Sequence, residues 1–258
     1  MQNANSRNHS TQDRWNMIPD LRGQVALVTG GGRGIGRSIS HSLAATGAHV
    51  VVAARTEAEI ATVADEIRGD GGESSALQVD LSKEDDVSAL FAQIRDRLGR
   101  LDVLIANAAI APTGPLIDFA TTDLDSLIAI NLRGTFLCCQ QAMRMMTPQR
   151  SGYIIVMSSI SGLKTYREHS AYAATKHGLM GMTKGLALES QEYGIRVSAV
   201  LPGGVDTEMA RAARPELDRS VLLQPDDIAK TILFLLSLSD RAAIDQIYIR
   251  RRTSQPFP

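Results

Sequence analysis

After residue 23, short apolar runs alternate with longer stretches in which apolar residues recur at helical spacing. In chain order the apolar runs are QVALVT, HVVVAA, SALQVD, DVLIAN, YIIVMS, IRVSAV and QIYIR. Most are apolar at successive positions, as expected of strands covered on both faces. Seven strands separated by helices predict a mostly parallel sheet between two layers of helices.

Polar residues mark three predicted helix starts. Thr56 followed by Glu59 fits the capping-box pattern, and Ser82 followed by Asp85 is a weaker acidic variant. Asp226 stands just before the apolar run IAKTILFLL.

The least regular segment is 203–224, between the sixth strand and the last helix, and it is short for a lid. In a parallel sheet, ligands bind outside the carboxyl ends of the strands, so the loops that follow strands are the places to look for chemistry.

Composition favours one domain and a small ligand. The 258 residues include 27 Lys and Arg against 28 Asp and Glu, for a net charge of -1, so no overall field attracts nucleic acid or anionic lipid. No apolar run approaches the roughly 18 residues that span a bilayer. The polar start MQNANSRNHSTQDRWN does not resemble a signal peptide. We predict a flexible tail over residues 1–20, one domain over 21–258, and neither nucleic acid nor membrane as partner.

The two cysteines favour a reducing, cytoplasmic location. Cys138 and Cys139 are adjacent in a helical pattern, so their side chains would point about 100° apart, a poor geometry for a disulfide.

A glycine-rich loop, TGGGRGIG, follows the first strand and precedes a helix. Gly30, Gly34 and Gly36 permit a tight turn and a close backbone approach, while the amino end of the helix offers N–H groups to a diphosphate. Together with the intervening Arg33 and Ile35, this loop predicts a dinucleotide-binding site.

The second strand predicts which dinucleotide is bound. NAD-binding folds carry an acidic residue about 20 positions after the loop, whereas an Arg accommodates the 2′-phosphate of NADP. Here Ala54 and Arg55 occupy this region, and Arg33 adds a second positive charge. We therefore predict NADP(H) in preference to NAD(H), and no metal.

Two further loops fit the adenine and nicotinamide ends of this cofactor. Asp80, followed by Leu81 in VDLS, can accept a hydrogen bond from the adenine amino group, unless it only caps a helix. Asn107, in ANAA, can hold the backbone near the cofactor or serve as an ordinary turn residue.

Tyr172 and Lys176 stand four residues apart in SAYAATKHG, a spacing that places both side chains on one face of a helix. A tyrosine has an unperturbed pKa near 10, and a nearby ammonium favours its phenolate form. The pair is therefore a candidate for proton transfer, although the same spacing also occurs on solvated helices.

The ordered set TGGGRGIG, VDLS, ANAA, INLRGTF, VMSSISG, YAATK and PGGVDT resembles the short-chain dehydrogenase/reductase family, from Leu21 to about Leu238. The resemblance implies an α/β fold, a single Rossmann-type doubly wound domain with a seven-stranded parallel sheet and helices on both faces. It places the family's four catalytic positions at Asn131, Ser159, Tyr172 and Lys176.

The resemblance also implies a role for each position. Tyr172 is the acid or base, and Lys176 tunes it electrostatically and bonds the nicotinamide ribose. Ser159 donates to the substrate oxygen as charge develops there. It is preferred to Ser158 because it lies thirteen residues before the tyrosine, the family's usual spacing. Asn131 resembles the residue that holds a water in the proton relay; its alternative is a helix-interior amide satisfied by backbone.

After the sixth strand, a further group resembles the family's contacts to the nicotinamide carboxamide: Pro202, Gly203, Val205 and Thr207.

The chain departs from the family pattern at two places. Ala109 stands where the family usually has glycine, which leaves the geometry of that loop open. The carboxyl end lacks the paired glycines common in tetrameric members, which puts family-typical tetramer packing in doubt. Arg250, Arg251 and Arg252 are interpreted first as charges guarding a sheet edge, and only weakly as a binding patch.

The predicted substrate wall is mostly apolar, without clustered basic residues, and favours a neutral or weakly polar ketone, aldehyde or secondary alcohol. Its members are Ile110, Pro112, Ile160, Leu163, Tyr166 and Met209. We predict an NADPH-dependent carbonyl reductase that forms a homodimer or homotetramer; the resemblance implies pairing through the helices containing Asn131 and Tyr172. The alternatives are 3-oxoacyl-(acyl-carrier-protein) reduction and a non-catalytic NADP-sensing protein.

Overall fold

The computed structural model describes residues 18–213 and 217–256. Most of the predicted tail and Pro215 lie outside the described residues. The strands are Val25–Thr29 (β1), His49–Ala54 (β2), Glu73–Gln78 (β3), Val103–Ala106 (β4), Gly152–Met157 (β5), Ile195–Pro202 (β6) and Gln246–Ile249 (β7).

The α-helices of this part of the chain are Gly34–Ala45 (α1), Glu57–Gly69 (α2), Glu84–Leu98 (α3), Thr121–Leu127 (α4), Thr135–Gln149 (α5), Ser170–Ser190 (α6), Glu208–Ala213 (α7) and Pro225–Ser237 (α8). A π-helical stretch, Ile128–Gly134, joins α4 to α5. No helix of the described residues has the length and apolar composition needed to cross a bilayer.

The seven strands form one parallel sheet in the order β3-β2-β1-β4-β5-β6-β7. Each predicted run overlaps one of these strands, with bounds that differ by up to two residues at β3, β5 and β6, and the predicted fold class is confirmed. The chain proceeds outward from β1 in one direction and then from β4 in the other. This reversal opens a crevice at the carboxyl ends of β1 and β4, where doubly wound folds bind ligands.

Alternate residues of the strands point into two apolar layers, one on each face of the sheet. Val28 packs in the layer that contains Ile39 of α1 and Ile228 of α8. Its neighbour Leu27 packs in the other layer, with Leu90 of α3. Burial on both faces explains why the strand sequences are continuously apolar.

The predicted helix starts are near the observed ones, but the predicted caps do not form. Thr56 is the N-cap of α2, yet its side chain makes no capping hydrogen bond. The N-cap of α3 is Lys83, because the Ser82 hydroxyl donates to Asp80 instead.

The carboxyl-terminal part of the chain adds two corrections. Helix α8 begins at Pro225, one residue before Asp226, and the backbone N–H of Gln224 donates to the Asp227 carboxylate at 2.9 Å. The segment 203–224 was predicted to be irregular, but it contains the short helix α7 beside the crevice.

A buried carboxylate joins the amino ends of the central strands. Asp102 Oδ2 accepts from the backbone N–H of Val25 at 2.8 Å, and the Arg100 guanidinium donates to both carboxylate oxygens. The main chain of Asp102 also bonds Val25 and Tyr153. One side chain thus fixes where β1 and β4 begin relative to each other.

We expect Asp102→Ala to lower the free energy of unfolding by about 2 to 3 kcal/mol, since it leaves a buried N–H without a partner and removes a charge-assisted hydrogen bond. Urea unfolding measures this. Asp96→Ala is the matched control, because Asp96 pairs with Arg95 on the surface, and surface pairs are worth at most about 1 kcal/mol. Equal losses for the two variants would contradict the role of Asp102.

Candidate active site

Two adjoining cavities lie at the carboxyl ends of the strands. The first has a volume of about 370 Å³ and the second about 260 Å³, and both are lined by Tyr172. The first is lined by most predicted cofactor residues: Gly30, Arg33, Gly34, Ile35, Gly36, Arg55, Asp80, Leu81, Asn107, Tyr172, Lys176, Pro202 and Thr207. The second is lined by Ser159, Gly203 and Val205, whereas Asn131 lines neither.

The glycine loop is packed so closely that side chains would not fit. A Cβ on Gly36 would lie 2.1 Å from the carbonyl oxygen of Gly30. Gly30 itself has φ +64, a conformation that favours glycine, and its Cβ would lie 2.9 Å from the Cα of Ala108. The loop therefore lies tight against both α1 and the segment after β4, and its backbone forms one wall of the first cavity.

The amino end of α1 opens into this cavity without a side-chain cap. The N-cap residue, Arg33, has extended backbone and its side chain makes no capping bond, and the first turn contains no acidic residue. Free N–H groups and the positive end of the helix dipole suit a diphosphate. The loop and helix end therefore fit a dinucleotide.

The two arginines predicted to meet a 2′-phosphate differ in their surroundings. Arg33 donates to Glu208 at 3.0 Å and lies 3.9 Å from Glu59. The sequence pattern did not place either carboxylate beside Arg33. Arg33 and Glu208 are both largely exposed, and such pairs exchange readily for a stronger anion. Arg55 is exposed at the end of β2 and forms no ion pair within the described residues. Arg55 is thus the more available of the two cations.

Asp80 lies beside Arg55 on the wall of the first cavity. Burial favours its protonated form, but hydrogen bonds from the Ser82 hydroxyl and backbone N–H, with the nearby Arg55 charge, lower the pKa of the Asp80 carboxyl. It remains an anionic acceptor at the place where the sequence predicts the adenine amino group.

Asn107, which follows β4, binds the backbone at the end of β1. Its Nδ2 donates to the carbonyl oxygens of Thr29 at 3.0 Å and Gly30 at 3.2 Å. The Thr29 hydroxyl, which the sequence reasoning missed, accepts from the backbone of Asn107 and Ala108. Ala109 lacks the left-handed φ that would require glycine. The methyl group is therefore accommodated there without backbone strain.

Tyr172 and Ser159 lie next to each other and both line the second cavity. Burial raises the pKa of Tyr172 to about 12, while the hydrogen bond with the Ser159 hydroxyl acts in the opposite direction. Ser159 also accepts from the backbone N–H of Ser161 at 3.1 Å, which fixes the start of a short 3-10 turn. The phenol is thus protonated at neutral pH and its oxygen is next to a hydroxyl.

Lys176 is buried one turn further along α6. Its Nζ donates to the carbonyl oxygen of Met157 at 2.9 Å and lies 5.7 Å from the centroid of the Tyr172 ring. Burial lowers the pKa of Lys176 to about 8. The sequence reasoning predicted that the lysine would depress the pKa of the tyrosine, but desolvation dominates at both groups.

Ser158 has a structural task. Its backbone N–H donates to Val200 at 2.9 Å, and its hydroxyl donates to the carbonyl oxygen of Lys176 at 3.3 Å. These bonds tie the end of β5 to β6 and α6, as expected of a strand-end hydroxyl.

Asn131 lies in the π-helical stretch and is fully buried. Its Oδ1 accepts from the N–H of Ile110, and its Nδ2 donates to the carbonyl oxygen of the same residue, both at 2.9 Å. A longer bond of 3.4 Å reaches Thr175, which is adjacent to Lys176 and was not singled out in the sequence. In this arrangement the amide clamps the loop after β4 against α6.

The substrate wall differs from the predicted one. Ile110 lines the first cavity, Ile160, Tyr166 and Met209 line the second, and Pro112 and Leu163 line neither. The expectation of no clustered basic residues is wrong, because the second cavity is also lined by Lys164, His169 and Arg251. Among the described residues, no group of three or more His, Cys, Asp or Glu side chains could hold a metal ion.

The sequence profile described as short chain dehydrogenase matches residues 24–218. A 3-oxoacyl-[acyl-carrier-protein] reductase of Synechocystis is 39% identical over 224 residues, covering 83% of this chain and 90% of the relative. The uncharacterized oxidoreductase YxjF of Bacillus subtilis is 34% identical and covers 84% of each chain.

Solved structures are similar over most of the chain. A metagenomic short-chain oxidoreductase in complex with NADP is 34% identical, with a TM-score of 0.81 over 91% of this chain and 100% of the other. Levodione reductase is 28% identical, with a TM-score of 0.82 over 89% of this chain and 96% of the other.

The depressed pKa of Lys176 makes stability depend on pH. Its value falls from 10.5 to about 8, so the unfolded chain binds more protons between these values and the free energy of unfolding rises with pH across this window. Relative to Lys176→Met, we expect wild type to gain about 2 kcal/mol between pH 7.5 and pH 10. Urea unfolding of both proteins at each pH measures this, and a pH-independent difference would contradict it.

Proposed function

The chain belongs to the short-chain dehydrogenase/reductase family and is an oxidoreductase of that family, and we propose that it interconverts a ketone or aldehyde and an alcohol with NADP(H). The observation that carries the proposal is the position of the Tyr172 phenol, which lies next to Ser159 where the two cavities adjoin. A carbonyl placed in the second cavity beside this pair would face the first cavity, which fits the cofactor.

The positions of these residues assign each of them a role in the proposed reaction. The bound cofactor supplies the hydride. Tyr172 gives its proton to the carbonyl oxygen, and the raised pKa keeps that proton in place until charge develops. Ser159 donates a hydrogen bond to the same oxygen. Lys176, whose Nζ is 5.7 Å from the ring centroid, stabilises the phenolate left behind.

Asn131 supports this arrangement from outside the cavities. Since its amide clamps Ile110 against α6, we propose that it holds Tyr172 and Lys176 at the correct depth beside the cofactor. Its predicted place in a water relay remains part of the proposal.

NADP(H) is proposed over NAD(H) because Arg55 and Arg33 line the cavity beyond β2 and no carboxylate stands at the end of that strand. Arg33 would exchange Glu208 for the 2′-phosphate, and Arg55 has no competing ion pair in the described part of the chain. The solved relative in complex with NADP supports the same choice.

Reduction of 3-oxoacyl thioesters is the main alternative within this chemistry, because relatives at 39% identity carry that name. A non-catalytic NADP-sensing protein is disfavoured, since Ser159, Tyr172 and Lys176 are all present and close together.

A homo-oligomer in a reducing, cytoplasmic environment is also part of the proposal. Phe136 of α5 and Leu188 of α6 are exposed by 51% and 77%, which suits pairing through these helices. Cys138 and Cys139 are free thiols buried in the core.

We expect Tyr172→Phe to reduce kcat for NADPH oxidation with a carbonyl panel by at least about 100-fold, because the proton donor is removed. NADPH affinity, measured by fluorescence titration, should change little. Tyr193→Phe, at a position lining neither cavity, is the control. Turnover that survives in Tyr172→Phe would rule out the assigned acid.

We expect Arg55→Ala to raise the Kd for NADPH about 10- to 100-fold, because one charge-assisted hydrogen bond to phosphate is lost. The Kd for NADH should stay unchanged. Titration calorimetry measures both constants. Arg95→Ala, on the exposed face of α3, controls for net charge. Equal losses for NADPH and NADH would refute phosphate recognition by Arg55.

A further inference from the structure

The second cavity combines the candidate proton donor with an unusual concentration of positive charge. Its lining includes Ser159 and Tyr172 on one side and Lys164, His169 and Arg251 on others. Among the residues that the structure describes, none in this lining is Asp or Glu. The remainder of the described lining is mostly apolar or uncharged, so no described lining residue neutralises Lys164 and Arg251.

We propose that this cavity binds carbonyl substrates that carry an anionic group, a carboxylate or a phosphate, and that Arg251 is the specificity-determining residue that binds this group. The inference rests on the proposed function, since it assigns a substrate class to the same site.

Arg251 reaches the cavity because the chain after β7 is folded back against β6. The backbone N–H of Gly203 donates to Ile249 at 2.7 Å. A Cβ on Gly204 would lie 3.5 Å from both Cδ and Nε of Arg251. The arginine side chain therefore packs against Gly204, and both residues line the second cavity.

The neighbouring arginines have different tasks. The Arg250 guanidinium turns inward, where its Nη1 donates to the carbonyl oxygens of Arg251, Arg252 and Ser254 at 2.8 to 3.1 Å. The Ser254 N–H and hydroxyl also donate to the Arg251 carbonyl. These bonds hold the last turn in one conformation and point Arg251 into the cavity, while Arg252 is exposed outside it.

Neither Arg251 nor Lys164 forms an ion pair with any carboxylate in residues 18–213 and 217–256. Both side chains are half-buried, so they are partly removed from water without a compensating anion. By contrast, Arg33 in the first cavity already forms an ion pair with Glu208. A planar guanidinium presents parallel donors that match carboxylate and phosphate oxygens.

His169 also lines the second cavity. Its Nδ1 bonds the carbonyl oxygen of Arg167 at 2.9 Å, and its ring packs edge-on against Tyr166. The ring is thereby fixed with the opposite nitrogen available to a ligand. It therefore adds a polar contact beside Lys164 and Arg251.

The test compares charged and neutral members of two substrate pairs with purified full-length protein and NADPH: 4-oxopentanoate with its methyl ester, and dihydroxyacetone phosphate with dihydroxyacetone. In wild type, we expect the charged member of at least one pair to have the lower KM. The pair that shows this difference tells whether the cavity prefers a carboxylate or a phosphate. Arg251→Gln should raise that KM about 10- to 100-fold. Its kcat, and both constants for the neutral member, should stay within about threefold, since the guanidinium binds away from the reacting atoms.

Arg252→Gln is the matched control, with the same charge change at the adjacent exposed position, and it should leave all constants unchanged. Arg251→Lys should recover part of the charged substrate's affinity, and Lys164→Gln should lower it. If Arg251→Gln does not fold, these last two variants decide the question by the same KM comparison.

Two results would overturn the proposal. One is that wild type shows the same KM for the charged and the neutral member of each substrate pair. The other is that Arg251→Gln raises KM equally for charged and neutral substrates. A wild-type protein that oxidises NADPH with no carbonyl at all would instead refute the proposed function. The two failures are therefore distinguishable.

Discussion

Parallel strands deliver the carboxyl ends of β1, β2, β4, β5 and β6 to one edge of the sheet, and the candidate groups for chemistry lie in the loops that leave that edge or in the helices that follow them. The constraint that opens the edge is the contact of Gly36 with the Gly30 carbonyl, where a methyl group would overlap backbone. It brings α1 close enough for its amino end to face the crevice. Without this contact, the first cavity would lose the wall that fits a diphosphate.

Burial sets the electrostatics of the site more strongly than the attraction between charges. Desolvation raises the pKa of Tyr172 and lowers that of Lys176, so both groups favour their neutral forms relative to water. The Met157 carbonyl and the Ser159 hydroxyl offset part of this cost. A phenol that keeps its proton suits a donor to a carbonyl, and the deep lysine is placed to stabilise the anion that results.

The fold and the cofactor loop could be predicted from sequence because each rests on a local pattern. Doubly buried strands are apolar throughout, and a loop packed against backbone must be glycine. The capping motifs failed for a different reason. A Thr or Ser side chain has several possible partners, and at Ser82 the nearby Asp80 carboxylate competes successfully with the helix end.

By itself, the sequence determined the order of strands and helices, the family resemblance and most residues that line the first cavity. Only the tertiary structure decided which residue of the carboxyl-terminal segment lines the second cavity. Arg250, Arg251 and Arg252 are consecutive residues of the same type. In the structure, Arg250 stabilises the last turn, Arg251 lines the second cavity and Arg252 is exposed. The position of Arg251 depends on its contact with Gly204, which is distant in sequence, and a local pattern contains no information about such a contact.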